Sequence, residues 1–123
     1  MVSRLVRHRE AKMQPQGGLC HYCGQAMWSG DPGSFRAAFG VSAKGAHLHR
    51  CTAEHLTPKS AGGRDCEENL VAACWFCNVT RHRRKRPLDP AAYQAMVRRR
   101  IEKGRWLCLP RPKRTGRELS SPV

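Results

Sequence analysis

Two cysteine pairs share one spacing, Cys20-x-x-Cys23 and Cys74-x-x-Cys77, and between them lies the acid–histidine couple Glu54-His55 in the run CTAEHLTPKSAGG. Two short CxxC turns can close a tetrahedral four-thiolate site, the arrangement a structural Zn²⁺ takes. Cys51, Cys66 and Cys108 lack ligand spacing and stay outside it. His55 brings a different capacity, because a neutral imidazole takes a proton from water at physiological pH. Glu54 beside it, and Asn78 directly after Cys77, carry oxygens suited to a hard ion such as Mg²⁺ or Mn²⁺. The spacing therefore predicts a structural zinc clip with reactive groups beside its second half.

The elements that must position these groups are short. His47 to Leu56 reads as a strand that Thr57-Pro58 breaks; a loop, SAGGRDCEEN, follows, and Leu70-Val71-Ala72-Ala73 makes a second strand antiparallel to the first. Cys74 then turns into a helix reaching about Arg83. Strict alternation would send Glu54 and His55 to opposite faces, so the strand is expected to bend there. Asp89-Pro90 is an N-cap with proline at the first helical position, and Tyr93, Met96, Val97 and Ile101 form one apolar face of a helix over 90–104. Arg98 and Arg99 lie off that face. A short helix is expected near 33–39, and Trp28 reads as a packing residue before a base-stacking one.

Three segments follow from composition. Residues 1–16 read as a loosely held basic arm, either an untidy terminus or an arm that touches nucleic acid; 17–106 hold the folded domain; 107–123, basic and proline-rich, are expected to be disordered. The chain has 123 residues, with 23 Lys or Arg against 9 Asp or Glu and a net charge of +14. From Arg81 onward 14 basic residues face three acids, Asp89, Glu102 and Glu118. Such an excess calls for a polyanion, nucleic acid first, and charge alone leaves DNA and RNA both open. No apolar run nears the roughly 20 residues of a membrane span, and the N-terminus has no secretory core. The chain is read as cytoplasmic, where a reducing medium favours zinc over disulfides for its 7 cysteines. A small core makes metal ligation, worth on the order of 10 kcal/mol, a main support of the fold.

Taken together, Cys-x-x-Cys, Glu-His at a strand end, and GG-x(5)-N-L-V-A-A-C-x-x-C-N resemble the HNH endonucleases, in the variant with a final asparagine (HNN). The resemblance covers residues 20–23 and 50–83. It implies an α+β fold, a small zinc-stabilised ββα-metal module with additional helices. It also implies hydrolysis of phosphodiester bonds in nucleic acid, double-stranded DNA before others, with His55 as general base. Glu54, where the family usually has aspartate, and Asn78 would hold the catalytic Mg²⁺ or Mn²⁺, while Asn69 would pin the loop that orients His55. Arg81 stands where relatives have lysine or arginine, so substrate contact is expected from Arg81, His82, Arg83, Arg84, Lys85 and Arg86; His82, one turn beyond Asn78, lies near the metal side as well. No small-molecule cofactor and no membrane partner are implied. The rival reading is a catalytically inactive, zinc-ribbon-like nucleic-acid-binding module, which charge and zinc fit equally and which has no use for Glu54, His55 and Asn78 together.

Overall fold

A computed structural model describes residues 3–110. Two antiparallel strands, β1 (Cys51–His55) and β2 (Leu70–Cys74), pair in one unbroken register from Cys51 opposite Cys74 to His55 opposite Leu70. Helix α4 (Trp75–Arg81) follows β2 without a connecting loop, with Cys74 as its N-cap, Sγ accepting from the Cys77 amide. This ββα unit is the frame expected from the sequence.

Around it sit α1 (Arg4–Met13), α2 (Gly33–Phe39), α3 (Ala43–Leu48) and α5 (Pro90–Glu102). α2 and α5 lie where the sequence put them, α5 capped by Asp89 and burying Tyr93 and Val97. Two expectations change. The segment His47–Leu48 is the end of α3, not the start of a strand; Ser42 caps that helix through the Gly45 amide, and six residues are too few for periodicity to tell helix from strand. The supposedly loose arm is α1, N-capped by Ser3 and packed against both strands. None of its side chains is fully buried, so no apolar stripe announced it.

β2 is an edge strand, and its exposed backbone is answered by a side chain. Gln16 donates to the Ala72 carbonyl at 2.8 Å and accepts from the Ala72 amide at 2.9 Å, while the His21 amide donates to the same carbonyl. The core gathers the four knuckle cysteines with Tyr22, Met27, Cys51, Ala72, Ala73, Tyr93 and Val97. Trp28 is half-buried and donates Nε1–H to the Ala46 carbonyl, so it packs and bonds internally. Part of the segment expected to be disordered is tied down: the Gln25 side chain bonds the Leu107 carbonyl and accepts from the Leu109 amide. Residues 111–123 of that segment lie outside the described residues.

Candidate functional site

Cys20, Cys23, Cys74 and Cys77 converge, all buried, with their sulfurs within 4.8 Å of one another. Neighbouring ligands of a tetrahedral zinc with about 2.3 Å bonds are about 3.8 Å apart, so the cluster has the size of such a site. The backbone is arranged for thiolates. Amides of Tyr22, Cys23 and Cys74 all point at Cys20 Sγ, at 3.3 to 3.5 Å. The thiols of Cys23, Cys74 and Cys77 drive the Cys20 thiol far below its ordinary range, with the Cys23 amide adding a little, while the same crowding pushes Cys74 and Cys77 up. Four adjacent thiols compete for protons in this way, and a divalent ion bound among them would remove the conflict by taking all four as thiolates. Helix α5 braces the clasp: Tyr93 Oη donates to the Cys77 carbonyl, Gln94 to the His21 carbonyl, and Arg98 Nε to the Tyr22 carbonyl. Cys51 is buried apart, its thiol pushed up to about 12 by burial, which makes it an inert core residue.

β1 delivers Glu54 toward α4. The carboxylate is 1 % exposed; Oε2 accepts from Tyr22 Oη at 3.1 Å and Arg81 Nη1 at 3.2 Å, and Oε1 lies 2.7 Å from His82 Nε2. Arg81 departs from expectation. It is 2 % exposed, and besides Glu54 its guanidinium donates to the carbonyls of His55, Leu56 and Leu88, so it is bound inside the protein. A charge this deeply buried needs such pairing. His82 is partly exposed, with its ring on Glu54. Asn78, one turn earlier, donates Nδ2 to Thr52 Oγ1 and the Ala53 carbonyl. Its Oδ1 makes no hydrogen bond among the described residues. Arg83, Arg84, Lys85 and Arg86 are exposed in the turn after α4.

The 2.7 Å contact between Glu54 Oε1 and His82 Nε2 is a hydrogen bond in which the imidazole donates to the carboxylate. The oxygens of a type a hard ion takes are Glu54 Oε1 and Asn78 Oδ1.

His55 goes elsewhere. The ladder runs unbroken through Glu54 and His55, so the anticipated bend comes only after the strand, at residues 56–57, and the two side chains contact separate sets of residues. His55 Nε2 lies 2.6 Å from Asp65 Oδ1, a partner that the sequence reading did not single out. Asp65 is held below the usual carboxylate range by that bond first and by Lys59, 3.5 Å away, as well. An ionised carboxylate is acceptor only, so Nε2 is the donor in this pair, and the neutral ring then has its lone pair on Nδ1. No hydrogen bond engages Nδ1 among the described residues.

The loop between the strands is held by Asn69, whose Oδ1 accepts from the Thr57 amide at 2.7 Å and whose Nδ2 donates to the carbonyls of Thr57 and Arg64, both at 3.0 Å. Gly63 lies under this clasp: a Cβ there would meet the Thr57 carbonyl oxygen at 1.7 Å. Close backbone approach requires Gly63, while its neighbour Gly62 serves the turn through a left-handed φ of 87°.

Residues 42–84 match the family model of the HNH endonuclease. That span contains β1, the clasped loop, β2 and α4, the ββα fold of HNH proteins, and it points to nuclease chemistry on nucleic acid. Cys20, Cys23, Tyr22, α1 and α5 lie outside it. No curated protein and no solved structure matches the chain.

Proposed function

We propose that this protein is a metal-dependent endonuclease that hydrolyses phosphodiester bonds in duplex DNA. The observation that carries the reading is His55, oriented by the 2.6 Å bond of its Nε2 to Asp65, on the strand that also carries the Glu54 carboxylate. In the proposed reaction His55 Nδ1 takes a proton from the water that attacks phosphorus. Asp65 steadies the imidazolium this creates, and Asn69 and Gly63 keep the loop that carries Asp65 against the strand end. Glu54 and Asn78 would hold Mg²⁺ or Mn²⁺, with His82 bonded to the Glu54 carboxylate beside them, and the ion would neutralise charge developing on the departing 3′ oxygen. Tyr22 and Arg81 grip the second oxygen of Glu54 and so aim the first. Arg83, Arg84, Lys85 and Arg86 contact backbone phosphates without reading sequence. Zn²⁺ at the four cysteines holds the frame.

One observation favours the rival reading. Arg81 already neutralises Glu54, which lowers the carboxylate's pull on a divalent cation and would suit a module that only binds. An end-labelled duplex separates the two readings. The endonuclease leaves 3′-hydroxyl and 5′-phosphate ends, needs Mg²⁺ or Mn²⁺, and stops when the ion is withheld from zinc-loaded protein. A zinc-loaded chain that binds the duplex and leaves it intact with every divalent ion tried is the binder.

A further inference from the structure

We propose that the cleft between α1 and the loop after β1 is a second backbone-gripping surface, with Arg4, Lys59 and Arg64 seating phosphates of the nucleic acid beside His55. The inference rests on nucleic acid being the partner, and it gives the grip to an element outside the segment matched to HNH endonucleases. The cleft has a volume of about 620 Å³ and is lined by Arg4, Lys59, Gly63, Arg64, Asp65 and Cys66.

Three cations and one carboxylate face it, and the carboxylate is engaged: Asp65 holds His55 at 2.6 Å and Lys59 at 3.5 Å. Arg4 and Arg64 are exposed and form no ion pair among the described residues, in contrast to Arg81, which is buried and bonded throughout. The cations come from two elements that are fixed independently. Arg64 and Lys59 are carried by the loop that Asn69 and Gly63 clasp. Arg4 is carried by the first turn of α1, a helix packed on both strands. Farther along α1, Lys12 acts on Glu68, whose carboxyl is lowered by backbone and Cys66 hydrogen bonds first and by Lys12 as well.

Asp65 belongs both to the cleft wall and to the His55 pair, so a strand whose phosphates lie in the cleft passes the imidazole. The open cleft exceeds what one small anion fills, and its cations come from separate elements, as contacts to a polyanion would. Arg83, Arg84, Lys85 and Arg86 are carried by a different element, the turn after α4.

The test is fluorescence anisotropy of the full, zinc-loaded chain on a duplex of about 20 base pairs, with no other divalent ion added and salt varied from about 50 to 200 mM. Arg4→Glu with Arg64→Glu should raise Kd at least ~10-fold. It should also flatten the slope of log K against log salt by about 2, near 0.9 for each lost phosphate contact. Zinc content and circular dichroism report the fold, and Arg4→Gln with Arg64→Gln provides a milder pair with the same expected direction. A folded variant with wild-type Kd and slope overturns the proposal, as does a cleft that millimolar inorganic phosphate fills without displacing the duplex. Since no cleavage is read, a wild type that binds but never cuts defeats the hydrolytic reading and leaves the cleft standing. An active enzyme indifferent to the charge reversal does the opposite.

Discussion

Glu54 divides its two oxygens between two tasks, one bonded to Tyr22 and Arg81 and the other facing His82. Removing Arg81 would leave that carboxylate buried without its counter-charge, a loss of about 3–5 kcal/mol, whereas an exposed arginine costs within about 0.5 kcal/mol. Arg81→Ala should therefore lower the melting midpoint steeply and Arg84→Ala hardly at all; equal, small shifts would show Arg81 to be a surface group. Asp65 makes a separate prediction. Asp65→Asn should cut kcat by ~10-fold or more with KM little changed, and should alter the His55 ring ¹⁵N shifts, which report the tautomer. Unchanged shifts would remove Asp65 as the positioning residue. The four-cysteine cluster and the loop-holding Asn69 were legible because their spacing is the signal. Asp65, Tyr22 and the inward turn of Arg81 were not, since those contacts span 10, 32 and 27 residues and carry no local pattern.

At the scale of elements, patterning worked where caps and periodicity agreed, as in α5 with Asp89 and Pro90, and in β2 followed by α4. It failed for α1 and α3. α1 has helix-forming residues and a Ser3 cap but no buried apolar stripe to mark the face that docks on the sheet, and α3 is six residues around Gly45. The clasped loop offers a direct check. Gly63→Ala drives a methyl into the Thr57 carbonyl, so it should cost about 1–3 kcal/mol and depress activity while zinc stays bound; wild-type activity in that variant would mean the loop need not hold its shape. His49, 2 % exposed, gives the element α3–β1 a pH dependence. Burial holds its pKa below the ordinary value of about 6.5, so as pH falls below that value the unfolded chain takes a proton the folded one refuses. Stability is full above about pH 6.5 and declines on acidification. With zinc in excess, the melting midpoint should drop more between about pH 7.5 and about pH 5.5 in the wild type than in His49→Gln; parallel drops would contradict this.

Over the whole molecule, one four-sulfur cluster joins the N-terminal knuckle to the end of the sheet and the start of α4, and α5 binds the knuckle's backbone from outside. Zinc ligation at this cluster would therefore be folding free energy on the order of 10 kcal/mol. One zinc per chain is expected, and a strong chelator should collapse the circular dichroism of the ββα unit along with activity; retention of native structure without the metal would show that the core alone suffices. No helix among the described residues is long and apolar enough to cross a membrane. The most direct measurement of the account is the initial rate of supercoiled plasmid loss with Mg²⁺ or Mn²⁺, wild type beside His55→Ala. The account predicts cleavage by the wild type, and no cleavage by a variant that keeps its zinc and its duplex affinity. Equal rates for the two proteins, or an inert wild type, would contradict it.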